Sequence, residues 1–138
     1  MAALQTSTVQ AINNNQAQLL SEWSRGLEAS GSTRGLKEQE LQQQTSEFIQ
    51  LTLAALEGDN GSNIATAGWE KVRQFLERLS ASRALLGHDS HQTANFIFAL
   101  KGPLFALLQR HYRDQPEAQA QQLLDVSELL DNLSLIHI

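Results

Sequence analysis

The sequence predicts an all-α protein, a helical bundle of about five to six helices. Only two prolines occur in 138 residues, and glutamine, leucine and alanine, which favour helices, are frequent. Apolar side chains recur at steps of three and four residues, and no long alternation of apolar and polar residues is present. A chain of this length encloses one hydrophobic core, so residues 1–138 are assigned to a single domain.

The first helix is predicted over about residues 8–29, because the Ser30-Gly31-Ser32 run ends its pattern. Its apolar residues form one stripe: Ile12, Leu19, Leu20, Trp23 and Leu27. Tryptophans on such stripes are usually highly buried. We therefore expect Trp23, and Trp69 farther along the chain, to anchor the core.

Two further helices are predicted over about residues 37–57 and 66–82. The glycine-rich stretch 58–62 between them is the strongest loop signal in the sequence. Gly87 follows the second of these helices, and we expect it to take the left-handed conformation that often ends a helix.

The stretch 83–112 holds the densest apolar run and is predicted to form the buried centre of the domain. Asp89 is a suitable N-cap, and Gln92 stands three residues later, as in a capping box. Apolar residues keep the same helical phase on both sides of Pro103. This favours one helix kinked at Pro103 over two separate helices.

The last helix is predicted to begin near Pro116 and to cover about residues 117–138. A seam of about two heptads runs along it, formed by Leu123, Val126, Leu130 and Leu133. We interpret this seam as a contact with a second copy or a partner rather than as purely internal packing. Because the pattern continues up to Ile138, the helix is also predicted to serve as a linker into a following domain.

Composition excludes several functions. The net charge is −5 and the basic residues are scattered, whereas nucleic-acid binding requires a basic face. The chain has no cysteine, so disulfides and thiolate catalysis are excluded. It shows no signal peptide and no apolar run near the ~18–20 residues of a membrane span. We expect a cytoplasmic protein without nucleic-acid or membrane partners.

No catalytic constellation is recognisable in the chain. A glycine-rich phosphate loop, an HExxH motif and a GxSxG motif are all missing from the sequence. Acidic residues such as Glu38 and Glu40 have the spacing of an exposed helix surface. We therefore predict a non-enzymatic protein.

Two histidines precede the central helix and leave a cofactor hypothesis open. His91 lies in the predicted first turn, where the helix dipole favours a neutral imidazole that can bind a metal or haem iron. His88 could reach the same volume. The other interpretation, which we favour, places both in a polar turn that faces solvent, with no cofactor. A haem would be lined by Trp69, Phe75, Phe96 or Phe98.

The other two histidines have simpler interpretations. His111 falls on the apolar phase near a helix end, where it would interact with the helix dipole or form an interface. His137 continues the seam and is interpreted as a helix–helix contact. A histidine phosphotransfer protein would need an exposed mid-helix histidine beside a basic residue. Neither His91 nor His111 satisfies that requirement.

Taken together, four segments resemble the N-terminal sensor domain of RsbR-type stressosome proteins. They are LLSEWSRGL (19–27), VRQFLERLSASRALLG (72–87), TANFIFALKGPLFALL (93–108) and LLDVSELLDNLSLI (123–136). The resemblance implies a globin-like fold, a homodimer, and a last helix that leads into a C-terminal STAS domain. Most such domains are understood to lack haem, although haem-binding relatives exist.

The resemblance also implies a role. Such proteins act as sensor and scaffold subunits of a large cytoplasmic complex, the stressosome, and belong to the anti-sigma factor antagonists. The complex sequesters a serine/threonine kinase and releases it on stress. A signal would then change how paired helices pack and would leave through the last helix. On this hypothesis a charged residue in place of Leu130 weakens the dimer.

Overall fold

The computed structural model describes residues 4–31, 35–58, 63–88 and 90–135, with the backbone alone for residues 90–93. All regular structure in these ranges is helical, which confirms the predicted all-α class. Six α-helices and one short 3₁₀ turn, Ala67–Trp69, follow each other along the described chain. The helices are α1 (Thr6–Asn14), α2 (Gln16–Ala29), α3 (Glu38–Gly58), α4 (Glu70–Leu85), α5 (Ser90–His111) and α6 (Pro116–Ser134).

The predicted first helix is in fact two helices, and the break lies at Asn15. The Asn15 side-chain amide donates a 2.7 Å hydrogen bond to the carbonyl of Ala11. Its backbone N–H bonds instead to the carbonyl of Ile12, at 3.2 Å. Asparagine side chains compete with the backbone in this way, and here the competition ends α1. The prediction of one helix over residues 8–29 was therefore wrong.

Helix α5 is the centre of the bundle, as the sequence predicts. It runs without interruption through Pro103 and packs against α1, α2, α4 and α6. Most of its large apolar residues are buried: Phe96, Ile97, Leu100, Leu104, Leu107 and Leu108. Gly26 of α2 faces Ala99, where a side chain on Gly26 would lie 3.8 Å from the Ala99 carbonyl oxygen. A Cβ at this distance would make an ordinary van der Waals contact, so the approach of these two helices does not depend on glycine at this position.

An aromatic cluster fills the middle of the core. The ring centroids of Trp23 and Phe96 lie 4.8 Å apart, and those of Phe48 and Phe96 lie 6.0 Å apart. The Trp23 indole N–H also donates a 2.7 Å hydrogen bond to the Phe96 carbonyl, which satisfies its polar atom inside the core. Trp23 and Trp69 are both fully buried, so their predicted role as core anchors is confirmed.

Helix α4 ends in a Schellman motif. The backbone N–H of His88 bonds to the Arg83 carbonyl and that of Gly87 to the Ala84 carbonyl, both at 3.0 Å. Gly87 has φ +85°, so its predicted left-handed conformation is confirmed. The predicted cap at Asp89 and the Gln92 side chain lie outside the described residues.

Candidate functional site

Helix α6 carries the residues predicted to transmit a signal, and three of them face inwards. Val126, Leu130 and Leu133 are buried in the core of the single chain, and Leu123 is half-buried beside them. They pack on the side of α6 that meets α5. The seam is therefore internal packing in this structure. Its predicted contact with a second copy stays a prediction.

The opposite face of α6 exposes apolar side chains of its own. Leu124 is 67% exposed and Leu135 is 60% exposed. Glu128 and Asp131 stand between them at steps of three and four residues, so the four share one outer stripe. Asp131 forms a 2.6 Å ion pair with Lys101 of α5, which ties this stripe to the central helix.

A buried polar network anchors the start of α6. The Thr8 hydroxyl donates a 2.6 Å hydrogen bond to Oε1 of Gln122, and it lies 2.7 Å from the Tyr112 hydroxyl. The Thr8 proton goes to Gln122, so the single Tyr112 proton is shared between Thr8 Oγ1 and Gln5 Oε1, which lies 3.3 Å from the Tyr112 hydroxyl. The Gln5 backbone N–H also bonds to Gln122 Oε1, at 3.0 Å. The start of the chain, the end of α5 and helix α6 are thus joined around the buried side chain of Gln122.

The network continues into α6 itself. Gln122 Nε2 donates to one Asp125 carboxylate oxygen at 3.3 Å, and Gln121 Nε2 donates to the other at 3.0 Å. Thr8, Gln122 and Asp125 are all buried. A satisfied polar network of this kind fixes one register between helices, because any shift leaves buried polar atoms unpaired. It therefore sets the position of α6 relative to α1 and α5.

Sequence reasoning missed this network, although a signal for it was present. Gln122 and Asp125 occupy the same helical phase as Val126, Leu129 and Leu133. Polar residues on an otherwise apolar face of a helix indicate a buried hydrogen-bonded cluster or a functional site. The partner of Gln122 on α1 lies more than a hundred residues away, and spacing alone does not identify it.

The turn between α4 and α5 differs from the sequence prediction at His88. The residue is only 6% exposed, so the expectation that it lies in a solvent-facing turn was wrong. The Schellman motif is the cause, because it folds the residue after Gly87 back over the last turn of α4. The His91 side chain lies outside the described residues.

Arg83, on that last turn, is fully buried. Its Nη2 donates a 3.1 Å hydrogen bond to Gln44 Oε1, and its guanidinium carbon lies 5.5 Å from the centre of the Phe96 ring. Burial disfavours the charged form and lowers the pKa of Arg83 below its ordinary value. The aromatic ring and the amide offset part of the cost of burying the cation.

The remaining residues of the haem hypothesis do not gather around a haem-sized space. Phe75 and Phe96 pack around Phe48, and Phe98 is 40% exposed on the outer side of α5. An apolar cavity between α1, α3, α5 and α6 measures about 30 Å³, and His88 does not line it. Pockets for larger ligands measure ~300–1,000 Å³. The residues around this cavity therefore do not fit a haem.

The other polar groups offer no metal site within the described ranges. No three His, Asp or Glu side chains lie together there as a metal would require. His111 is exposed and its Nε2 forms a 2.6 Å hydrogen bond with the Ser7 hydroxyl of α1. His137 lies outside the described residues. Among the helices described, none combines the length and apolar character that crossing a bilayer requires.

The comparisons with known proteins agree with the helical layout. A family model described as the RsbT co-antagonist protein rsbRD N-terminal domain matches residues 17–136. The match begins in α2 and includes all of α3 to α6, whereas α1 precedes it. No curated protein and no solved structure matched the chain. Because the family model covers most of the sequence, the chain belongs to the rsbRD N-terminal domain family and is a signalling domain of the RsbR-like stressosome type.

Proposed function

We propose that this domain is a non-enzymatic sensor module of a stressosome regulator, acting in the cytoplasm and passing its signal through α6 to a C-terminal STAS domain. The observation that carries the proposal is the family match over residues 17–136. The placement of α6 supports it, because one face of this helix is held in the core and the other is open to solvent. In this proposal a change inside the bundle moves α6, and α6 acts on the STAS domain.

Transmission requires two arrangements of α6 that a signal stabilises unequally. The polar network favours discrete arrangements over gradual sliding. A shift of α6 by a fraction of a turn would break the bonds from Thr8 and from the Gln5 backbone to Gln122. We expect the second arrangement to pair these groups differently or to expose them to water.

The proposal includes a homodimer and contacts with other stressosome subunits. The outer stripe of α6 supports this part, because Leu124 and Leu135 are large apolar residues held in solvent on one face. Pairing two such stripes would remove both leucines of each copy from water, at ~25 cal/mol per Å² of apolar surface. The inner seam, with Leu130 and Leu133, would then hold α6 to its own bundle.

Sedimentation equilibrium tests the dimer. We expect Leu124→Glu to lower the association constant at least tenfold, because it replaces one of the two apolar contacts of the stripe with a further carboxylate beside Glu128 and Asp131. Leu85→Glu is the matched control, since Leu85 is 89% exposed on α4, away from the stripe. A wild-type monomer at high concentration would contradict the dimer, and equal association of both variants would contradict the outer stripe as its interface. Sequencing the gene beyond the codon for Ile138 tests the STAS domain directly. We expect a STAS-like continuation there, and its absence would contradict this part of the proposal.

A further inference from the structure

A small apolar cavity lies beside α6 and has no part in the proposed function. It lies between α1, α3, α5 and α6, and Leu100, Leu104, Val126, Leu129 and Leu130 are among its walls. Its volume is about 30 Å³ and its accessible wall is entirely apolar. Cavities of ~10–15 Å³ already hold a water molecule when polar partners are present. Here the space is large enough for water but lacks the groups that would bind it.

One polar residue lines the cavity without making it polar. Thr52 contributes to the wall, but its hydroxyl oxygen adds no accessible polar surface to the cavity. This oxygen is buried and has no hydrogen-bond partner among the described residues. A water molecule in the cavity would need two to four hydrogen bonds, which this wall does not supply. The cavity is therefore expected to be dry.

We propose that this cavity binds one small apolar molecule of about diatomic size, such as dissolved dioxygen. The volume corresponds to roughly two water-sized spheres, far less than the ~150 Å³ apolar cavity that takes benzene or xenon. A molecule of this size restores the dispersion contacts that the wall lacks on its empty side. A polar or charged ligand would lose its hydration there without compensation.

A molecule bound in the cavity would contact α6 directly. Three wall residues, Val126, Leu129 and Leu130, belong to the inner face of this helix. A bound molecule stabilises the arrangement in which that face closes the cavity, by an amount set by its concentration and affinity. This last step rests on the proposed role of α6 in transmission, whereas binding itself does not.

Dioxygen is the probe, and methyl NMR of the whole chain under increasing oxygen pressure is the measurement. We expect saturable shifts in the methyl groups of Leu104, Leu129 and Leu130. Val126→Ile adds one carbon to the wall and should abolish these shifts. The matched control is Val72→Ile, because Val72 is equally buried on α4 but does not line the cavity. This control should retain the shifts.

Two results would overturn the proposal. One is the absence of saturable shifts in the wild type, and the other is their persistence in Val126→Ile. If Val126→Ile does not fold, Leu104→Ala replaces it, since the larger cavity should bind dioxygen several-fold more tightly and unchanged binding rejects the site. Sedimentation of the Leu124→Glu variant reports on the dimer independently, so failure of the proposed function is distinguishable from failure of the cavity site.

Discussion

The Thr8 hydroxyl and the Gln122 side-chain amide are joined by a 2.6 Å hydrogen bond across 114 residues of sequence. Both residues are buried. The bond links α1, which precedes the region matched by the family model, to α6, the last helix within it. The position of α6 therefore depends on a helix at the other end of the chain.

Removing the Thr8 hydroxyl should destabilise the fold. Thr8→Val keeps the shape of the side chain but leaves the Tyr112 hydroxyl and Gln122 Oε1 each short of one partner. Both groups keep a hydrogen bond to Gln5. The two bonds that are lost contribute about 0.5–1.5 kcal/mol each, so we expect the free energy of unfolding measured with urea to fall by about 1–3 kcal/mol. Thr6→Val is the control, because Thr6 is exposed on the same helix and should change stability by less than ~0.5 kcal/mol. Equal effects of the two substitutions would argue against the network.

The two faces of α6 should respond differently to truncation. Leu130 is 2% exposed and Leu124 is 67% exposed. Leu130→Ala should lower the free energy of unfolding by ~2–5 kcal/mol, because it removes buried methyl groups and leaves a larger cavity. Leu124→Ala should change it by less than ~0.5 kcal/mol at concentrations where the protein is monomeric. A small effect of Leu130→Ala would restore the interpretation of the seam as a free face. Charged substitutions at Leu130 therefore probe folding before they probe a dimer.

Periodicity was sufficient to predict the fold class and most of the helices. The phase of the apolar residues around Pro103 correctly indicated one continuous helix, because buried leucines on both sides must face the same core. The break at Asn15 was not predictable from that pattern. It depends on one hydrogen bond, in which the Asn15 side-chain amide replaces the backbone N–H as donor to the Ala11 carbonyl. The spacing of apolar residues does not predict such local competition.

The candidate site was less accessible to sequence reasoning than the fold. A heptad seam looks the same whether its partner is another helix of the same chain or a second copy. Val126 and Leu130 meet the core of their own chain, and only the tertiary structure shows that. The burial of His88 likewise depends on the chain reversal that Gly87 makes possible.

The buried guanidinium of Arg83 should not tolerate lysine. Lysine cannot maintain both the hydrogen bond to Gln44 and the contact with the Phe96 ring, so Arg83→Lys should lower the free energy of unfolding by about 1.5–3 kcal/mol. Arg78→Lys is the control, because Arg78 is largely exposed and its 3.4 Å ion pair with Glu47 contributes little. Similar stability of both variants in urea would contradict a structural role for Arg83.

The contribution of Arg83 to the free energy of unfolding should not depend on pH near neutrality. The pKa of Arg83 is lowered in the folded state, so the unfolded chain keeps this proton up to a higher pH than the folded protein does. The free energy of unfolding therefore rises with pH only between the folded and the unfolded pKa of Arg83. Between about pH 6 and 9 the guanidinium is charged in both states. Glutamine does not titrate, so we expect the difference in unfolding free energy between wild type and Arg83→Gln to be constant over this range.

Hemin titration tests the cofactor hypothesis. Because His88 does not line the 30 Å³ cavity, and that cavity is far smaller than ~300 Å³, we expect no saturable Soret band when hemin is added to the purified chain. His88→Ala and His91→Ala should give spectra identical to the wild type, and His111→Ala serves as the control at an exposed position. A saturable band that disappears in His88→Ala or His91→Ala but not in His111→Ala would establish haem binding. It would also require the core around Phe48 and Phe96 to open by several hundred Å³, which circular dichroism and the unfolding free energy of the loaded protein would report.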